Sequence, residues 1–576
     1  MHLPSGVQRI HIGPSKKQES QQMSPVSGGG HATANRERER EQKNITRTSG
    51  RLARSSLAFA CMFSAPSFLL VDISRCQAAE NLWLDTARAS ITTGELSGHV
   101  GVLADDTLEG REAGSRGGRV AAKYIIDRLK EAQLIPAGKN DRFTQPFGRN
   151  YQNLLALIEG SDPELRDEYL IVGAHYDHVG YGNGRNSFGP IGYIHNGADD
   201  NASGVAAVLE VIDAMVGTEF RPRRSILFAF WDGEEKGLLG SKHWASQPTL
   251  QLDAVRLAIN IDMVGRVDGG RIEVGGTRTG AGFRRLFSSP SLSAGTWLDF
   301  SWEYKDNSDH YTFFQAGVPS LYLHSGLHDD YHRPSDDVEK LNVEGMREIS
   351  RYLLEKLSEL ADAQQLPTFR SQARFENPQV QQRTEKPLPA MPSRLGFQWD
   401  YIDGPTGVAV IRRIGSHLPA FQVGLRRGDR IVALEGQPLT SDAQIPTAAL
   451  RNEKELRMQV MSVGSDQRRE VTVPLQGSPV RMGLSWRDDP VEPGTVYLTR
   501  VVPFSAAAAA GLKLHDRIHA LEGEPVEGQD NLLSRVESLL ENGATEIRLR
   551  VESRGILQEL VLRLGNSANQ QSDPTL

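Results

Sequence analysis

The sequence predicts a large α/β domain followed by two small β-rich domains. Between residues 85 and 362, apolar strand-like stretches alternate with amphipathic helical patterns, which is typical of a sheet with helices on both faces. Residues 225–231 are apolar almost throughout, as expected for a strand buried on both faces. Nearer the C-terminus, the motif at Gly424 recurs at Gly511, so this part of the chain contains an internal repeat.

The elements of the first domain are predicted from their apolar spacing. Apolar residues at Ala121, Ile125 and Leu129 lie on one face of a helix, which predicts a helix over residues 121–134. By similar patterns, a second helix is predicted over 202–215 and strands over 169–174, 225–231 and 255–261.

The repeat follows a stretch rich in Gln and Pro, residues 363–392, which is typical of a linker. The two copies are predicted to be separate domains over 393–477 and 478–566, with a tail over 567–576. Gly424-Leu425 and Gly511-Leu512 hold the same place in the two copies, 87 positions apart (511 − 424).

Composition favours a soluble, multidomain protein. With 576 residues, the chain exceeds the size of one ordinary core, and its 39% apolar and 24% charged residues suit globular domains. The net charge is −7, although residues 1–56 carry ten Lys and Arg against four Asp and Glu. The remainder is therefore acidic, which argues against nucleic acid as a partner.

The N-terminal segment predicts export. Residues 1–50 are polar and are expected to be disordered or to lie upstream of the true start. Residues 51–79 resemble a signal peptide, with basic residues, an apolar stretch over 57–71 and small residues at the end. The expected location is the periplasm, the cell surface or the medium, and an uncleaved membrane anchor is the alternative. Both cysteines, Cys61 and Cys76, lie in this segment, so a mature protein would bind metal through His, Asp and Glu only.

Polar residues cluster where the predicted strands end. His175 and Asp177 follow one strand, Glu234 and Glu235 follow another, and Asp262 follows a third. Two further groups lie in loops, Asp199-Asp200 and His332. Ligands of open α/β sheets bind at the carboxyl ends of strands. Each residue alone has a structural explanation, since Asp199 or Asp200 could cap the following helix, but so many adjacent carboxylates repel one another unless a cation gathers them.

This ligand chemistry suits catalytic zinc. Imidazole and carboxylate groups without thiolate are typical of catalytic zinc sites, with manganese or cobalt as possible substitutes. Five ligands, one of them shared, could complete two three-ligand sites that each leave a position open for water or substrate.

Three of these segments resemble the M28 peptidases, the family of bacterial leucyl aminopeptidases and glutamate carboxypeptidases. They are Gly173-Ala174-His175-Tyr176-Asp177, the stretch 196–204 around Asp199-Asp200, and the stretch 234–241 that begins Glu234-Glu235. The resemblance covers about residues 90–360. It implies a zinc-exopeptidase fold with a mixed central sheet, two zinc ions (Zn²⁺) and an aminopeptidase that hydrolyses the N-terminal residues of peptides through a water bridging the metals.

The resemblance also implies a role for each matching residue. One zinc would be bound by His175, Asp199 and Asp262, and the other by Glu235, His332 and the same Asp199. The peptide bond after the bridging aspartate is often cis in the family, which implies a cis bond at Asp199–Asp200.

Three further residues would act in catalysis by the same resemblance. Glu234 would be the general base, because that role needs a carboxylate beside the metals but not on them. Asp177 would fix the tautomer of His175 by hydrogen-bonding its far nitrogen. Tyr331 would help to hold the developing oxyanion.

The two C-terminal repeats resemble PDZ domains of bacterial proteases. In that fold, a loop before an edge strand donates backbone N–H groups to the carboxylate of a peptide, which then adds a strand to the sheet. The resemblance implies that these loops are Leu395-Gly396-Phe397 and Met482-Gly483-Leu484. Their partners would be peptide or protein C-termini, unless the repeats are structural spacers.

Three functions remain open from the sequence. The first is the exported aminopeptidase, the second a carboxypeptidase or dipeptidase on the same metal centre, and the third an inactive peptide-binding scaffold. Retention of every expected ligand and of Glu234 disfavours the scaffold.

Overall fold

The computed structural model describes residues 73–405 and 407–564. The predicted extension and most of the predicted signal peptide lie outside these residues, and only the end of the latter, residues 73–79, falls within the first helix. Within the described part of the chain, no helix combines the length and the apolar character needed to cross a membrane.

The first domain is built on one nine-stranded sheet. Its strands lie in the order β1-β3-β5-β4-β6-β9-β7-β8, with β2 paired to β3. They are β1 Ile135–Pro136, β2 Thr144–Phe147, β3 Tyr151–Ile158, β4 Tyr169–His175, β5 Ser225–Trp231, β6 Val255–Ile261, β7 Arg271–Gly275, β8 Trp297–Ser301 and β9 Ser320–His324. The central strands β5, β4, β6 and β9 are parallel, whereas β3 and β7 run antiparallel to their neighbours in this centre. The sheet is mixed, which confirms the expected fold class.

Helices cover both faces of this sheet. They are α1 Ile73–Ser90, α2 Thr93–Leu103, α3 Arg116–Glu131, α4 Gly204–Gly217, α5 Leu239–Ser246, α6 Phe283–Phe287, α7 His310–Ala316 and α8 Val343–Asp362. The larger core lies between the sheet and α2, α4 and α8, and a smaller one around Trp231, Trp244 and Phe313 covers the other face. Because helices bury both faces of the sheet, the sequences of β5 and β6 are nearly continuous apolar runs.

The predicted strands 225–231 and 255–261 match β5 and β6 residue for residue. The predicted helix 121–134 is displaced: α3 begins earlier, because the Ser115 side chain accepts a hydrogen bond from Gly118 N and caps it. It ends before Gln133, whose φ of 55° is not helical. The predicted helix 202–215 starts later, at Gly204, because residues 198–203 form an irregular helical turn.

The two sequence repeats form two sheets of the same topology. The first repeat has the order β10-β11-β12-β14-β15 with β13 on β12, and the second has β16-β17-β18-β20-β21 with β19 on β18. The strands of the first are β10 Phe397–Ile402, β11 Val408–Ile414, β12 Arg430–Leu434, β13 Gln437–Pro438, β14 Glu455–Met461 and β15 Arg468–Pro474. Those of the second are β16 Leu484–Asp488, β17 Val496–Val501, β18 Arg517–Leu521, β19 Glu524–Pro525, β20 Glu546–Ser553 and β21 Ile556–Arg563.

Five α-helices complete the described part of this half of the chain, and each repeat has its own apolar core. They are α9 Pro378–Thr384 before the repeats, α10 Pro419–Gln422 and α11 Gln444–Arg451 in the first, and α12 Ala506–Ala509 and α13 Gln529–Glu541 in the second. The strand pairs β10–β11 and β16–β17 are both antiparallel with a register shift at the same place, next to Trp399 and Trp486. The internal repeat is therefore a repeat of structure as well as of sequence.

The second repeat is bonded to the first domain. Gly282 N donates to Val491 O at 2.8 Å, and the Arg284 guanidinium makes two hydrogen bonds, of 2.8 and 3.1 Å, with the carboxylate of Glu552. The segment before the repeats also lies along the second repeat, since Leu388 N donates to Thr499 O at 2.9 Å.

Candidate metal centre

The candidate site lies where parallel central strands end. His175 is the last residue of β4, Asp262 directly follows β6, and Glu234 and Glu235 follow β5 after a two-residue turn. Because β4, β5 and β6 are parallel neighbours, their carboxyl ends meet at one edge of the sheet. Asp200 approaches the same place from the irregular turn before α4.

One group of ligand atoms surrounds the ring of His175. Its Nε2 lies 3.3 Å from Asp200 Oδ1 and 3.4 Å from Asp262 Oδ1, and all three residues are buried. Zinc holds such ligands at about 2.0–2.2 Å, which places tetrahedral neighbours about 3.4 Å apart. The three atoms therefore have the spacing of a zinc site.

A second group surrounds the other oxygen of Asp200. His332 Nε2 lies 3.0 Å from Asp200 Oδ2 and 3.1 Å from Glu235 Oε2. Asp200 thus presents one oxygen to each group, which is the arrangement of a carboxylate shared by two metals. The structure thus brings together four of the five predicted ligands, His175, Glu235, Asp262 and His332.

Asp200, and not the predicted bridging residue Asp199, lies between the two groups of ligand atoms. Asp199 Oδ1 accepts hydrogen bonds from Ser203 Oγ at 3.0 Å and Gly265 N at 2.6 Å, and Oδ2 lies 3.1 Å from His328 Nε2. Its side chain is thereby held away from His175 and Glu235. The cis peptide bond is also one residue further on than predicted, at Asp200–Asn201 and not at Asp199–Asp200.

Asp177 also differs from its predicted role. The Nδ1 atom of His175 lies 3.2 Å from the backbone oxygen of Asp177 and 3.9 Å from its carboxylate, so the backbone and not the carboxylate orients the ring. Asp177 Oδ1 instead accepts a hydrogen bond from Glu234 N at 3.0 Å. Asp177 therefore fixes the loop that carries Glu234.

Electrostatics at the site favour an added cation. Burial would lower the pKa of His332, but hydrogen bonds to Asp200 and Glu235 outweigh it and raise the pKa to about 11. The pKa of Glu234 lies well above its ordinary value, because burial disfavours the charged carboxylate and Glu235 repels it. The carboxylates thus hold a proton on His332 that a metal ion would replace.

Tyr331 and Glu234 face a cavity beside the two groups. The ring of Tyr331 stacks on that of His332 with centroids 3.9 Å apart, and burial raises the pKa of its hydroxyl. The cavity has a volume of about 700 Å³, and its walls include Glu234, Glu235, Leu238, Lys242, Tyr311 and Tyr331. It is large enough to admit part of a peptide next to the ligand atoms.

Two residues without a predicted role, His178 and Asp336, contact the residues of the site. His178 Nδ1 lies 2.9 Å from Glu235 Oε1. The carboxylate of Asp336 accepts hydrogen bonds from the backbone N–H groups of Asp199 and Asp200, both at 3.0 Å. His178 could have been found from the sequence, because it lies only three residues after His175. Asp336 could not, because it bonds backbone N–H groups, which every residue type except proline provides.

Arg111 connects the segment after β4 to the turn before α4. Its buried guanidinium donates to the carbonyl oxygens of Tyr176 at 2.9 Å, Gly197 at 2.7 Å and Asp200 at 3.0 Å, and it also bonds those of Asn196 and Leu103. It thereby joins the segment of His175 to the turn of Asp200. A buried arginine whose bonds all go to carbonyl oxygens acts as a brace between loops rather than as the partner of a carboxylate.

The predicted peptide-binding loops of the repeats lie just before the edge strands β10 and β16. Gly396 and Gly483 have φ of 75° and 84°, which favours glycine at these positions. The side chains of Leu395, Phe397 and Met482 are buried in the cores of their repeats, and Leu484 packs against the second core. Gly396 is half-buried, whereas Gly483 is buried against Ser505, so the loop of the first repeat is the more accessible of the two.

Residues 153–357 match the profile of Peptidase family M28. This range contains both groups of ligand atoms, Glu234 and Tyr331. Leupeptin-inactivating enzyme 1 of Streptomyces exfoliatus is 30% identical over 239 residues, which cover 41% of this chain and 49% of that protein. The probable leucine aminopeptidase 2 of Aspergillus fumigatus is 26% identical over 291 residues, which cover 43% of this chain and 54% of that protein.

The chain thus spans about half the length of these two relatives. Among solved structures, the aminopeptidase from Aneurinibacillus sp. strain AM-1 aligns with a TM-score of 0.39 and 16% identity, over 49% of this chain and 97% of that one.

Proposed function

We propose that this chain is a zinc aminopeptidase that releases N-terminal residues from peptides. The observation that carries the proposal is the position of Asp200, whose two oxygens face His175 with Asp262 on one side and His332 with Glu235 on the other. The M28 match over 153–357 and the relatives named as leucine aminopeptidases support this peptidase class.

Glu234 would move the proton in this reaction. When bound, two zinc ions would activate a shared water and polarise the scissile carbonyl. Glu234 lies at the cavity wall next to Glu235 but outside both groups of ligand atoms, which places its carboxylate to accept a proton from the attacking water. It would then deliver this proton to the leaving amine. Tyr331, stacked on His332, would donate its hydroxyl to the developing oxyanion.

The test is an assay of the zinc-loaded full-length protein on leucine p-nitroanilide, on a free tetrapeptide and on the same tetrapeptide with an acetylated N-terminus. An aminopeptidase cleaves the first two and not the third, and it loses activity on chelation. Cleavage of the acetylated peptide from its C-terminus would replace the proposal by a carboxypeptidase on the same centre. Binding of two metals without any turnover would favour an inactive scaffold.

We further propose that at least one of the two repeats binds peptide C-termini. Their loops resemble those of PDZ domains, and β10 and β16 are edge strands with one unpaired side in their sheets. The test is fluorescence anisotropy with a library of labelled peptides, each compared with its C-terminally amidated form. Binding of free acids but not of amides supports the proposal, whereas no difference between the two forms would indicate a structural role.

Export is proposed from the leader-like residues 51–79 alone. Mass spectrometry of the protein recovered from its native host would detect a new N-terminus near Ala79. An intact segment 51–79 would indicate a membrane anchor or an internal location instead.

A further inference from the structure

The loop between the two halves of the metal centre exposes an unusual amount of apolar surface. Residues 180–195, here called the Phe188 loop, connect the segment of His178 to that of Asp200. Within 13 residues, four large apolar side chains are exposed: Tyr181 by 47%, Phe188 by 63%, Ile191 by 55% and Tyr193 by 63%. A concentration of exposed apolar side chains is typical of an interaction surface.

Internal hydrogen bonds hold the Phe188 loop in its shape. Its ends are joined by His195 N, which donates to Gly180 O at 2.9 Å. Inside the loop, Ser187 Oγ and His195 Nε2 lie 2.7 Å apart, and Gly192 N donates to Tyr181 O at 2.8 Å. The exposed side chains are therefore presented on a preformed backbone, which lowers the entropy that binding must overcome.

The loop is also fixed directly to the metal centre. Phe188 N donates to the backbone oxygen of His332 at 3.1 Å, and Arg333 Nη1 donates to Phe188 O at 2.7 Å. The ring of Phe188 lies 5.9 Å from that of Tyr331 and 6.1 Å from that of His332. Because Tyr331 also forms a wall of the 700 Å³ cavity, the apolar surface continues outward from the site of cleavage.

We propose that the Phe188 loop binds apolar side chains of the peptide substrate beyond the residue that is released. This inference rests on the proposed aminopeptidase function and extends it to the preferred substrates, which are peptides with aromatic or aliphatic residues after the first. The peptide is the occupant that fits best, because the surface begins at a ligand of the metal centre and any peptide bound there must leave the cavity past its rim.

The expected preference for apolar peptides can be estimated from the usual effect of apolar contacts on kcat/KM. Apolar groups placed in an enzyme pocket change kcat/KM by about 10–200-fold per group removed. A surface as open as this one should give the lower end of that range. The wild-type protein is therefore expected to cleave Leu-Phe-Phe-Gly with a kcat/KM about tenfold higher than that for Leu-Gly-Gly-Gly.

The test compares the ratio of these two kcat/KM values in the zinc-loaded full-length protein and in the double variant Ile191→Ser/Tyr193→Ser. Both side chains are exposed, so the substitutions should not disturb folding. Phe375→Ser is the matched control, because Phe375 is 77% exposed but lies outside the loop. We expect the ratio to fall to near one in the double variant and to be unchanged in the control.

An unchanged ratio in the double variant would overturn the proposal, as would a wild-type ratio of one. If the double variant keeps the ratio but changes its sedimentation coefficient, the loop joins two copies of the chain and the proposal is also wrong. If the wild type cleaves neither peptide nor leucine p-nitroanilide, the proposed function itself fails, a result distinct from cleavage without preference.

Discussion

Two groups of buried carboxylates in this protein have different ion-pair partners. Where the second repeat meets the first domain, Glu552 pairs with Arg284 at 2.8 Å and Asp489 pairs with Arg517 at 3.0 Å. At the candidate metal centre, the described ion pairs of Asp200, Asp262 and Glu235 are all with imidazoles, and Asp262 also accepts a hydrogen bond from the Ser308 hydroxyl. Among residues 73–405 and 407–564, no arginine or lysine forms an ion pair with these three or with Glu234.

The pKa values reflect this difference. Burial would raise the pKa of Glu552, but the charge and hydrogen bonds of Arg284 lower it to about 2. At the candidate metal centre, burial would likewise raise the pKa values of Asp200, Glu235 and Asp262, but hydrogen bonds and charges of neighbouring imidazoles lower them, whereas burial leaves the pKa of Glu234 well above its ordinary value. The first group is neutralised by guanidinium groups, which stay charged, whereas the second relies on protonated imidazoles, whose protons a bound metal ion would replace. The comparison explains why one group holds domains together and the other fits a metal.

The largest effect is expected when Asp200, the residue placed between the two groups of ligand atoms, is substituted. We expect Asp200→Asn to abolish binding of both zinc ions and with it nearly all activity. The neighbouring variant Asp199→Asn removes only a supporting residue, for which the usual loss is about 10–100-fold in metal affinity or activity. Zinc stoichiometry by atomic absorption and kcat on leucine p-nitroanilide measure both. A greater loss in Asp199→Asn would restore the assignment made from the sequence.

This pair of aspartates also shows where prediction from sequence ends. The strands at 225–231 and 255–261 were predictable because burial on both faces leaves a continuous apolar run. The clustering of polar side chains in the loops after them was predictable because polar residues interrupt those runs where parallel strands end. Asp199 and Asp200, in contrast, are identical in chemistry and adjacent, so only the backbone of the irregular turn decides which side chain points to His175.

Arg111 was not predictable for a related reason. Its partners are backbone carbonyl oxygens of Tyr176, Asn196, Gly197 and Asp200, and any residue type could provide those. Such contacts therefore impose no requirement on the residue types of the partners, and the sequence contains no motif that would reveal them. They become visible only when the segments around residues 111, 176 and 200 have been brought together.

Substitution of Glu234 should separate catalysis from metal binding. Because Glu234 is next to a ligand but outside both groups of ligand atoms, Glu234→Gln should retain two zinc ions and lower kcat by about 10²–10⁴, the usual contribution of a general base. Assay of kcat together with bound zinc checks this. Loss of zinc along with activity would show that Glu234 is a ligand and that the proton is moved by another group.

Arg111→Lys should have a smaller effect on the same centre. Lysine keeps the positive charge but cannot reach all of the carbonyl oxygens that the guanidinium joins. We expect zinc affinity to fall by about 10–100-fold, as for other residues that orient ligands. Excess zinc should then restore much of the activity. If excess zinc restores none, Arg111 supports the fold as a whole rather than the position of Asp200.

The smallest effect on activity is expected at the contact of the second repeat. Glu552→Gln leaves the metal centre intact, so kcat on leucine p-nitroanilide should not change. In the wild type, the pKa of the Glu552 carboxyl is lowered from an ordinary 4.5 to about 2. Loss of this charge should therefore lower the free energy of unfolding of the variant by about 3 kcal/mol at neutral pH. Because the folded-state pKa is the lower one, this stability is present above pH 4.5 and is lost as the pH falls through about 2.

Denaturant unfolding of wild type and Glu552→Gln at a series of pH values measures this difference. The two curves should be furthest apart at pH 6–7 and converge as the pH falls towards 2. A difference that does not depend on pH would mean that the substitution acts through packing and not through the charge of Glu552. A fall in kcat at neutral pH would mean that the second repeat influences the metal centre, and the two groups of carboxylates would then no longer be independent.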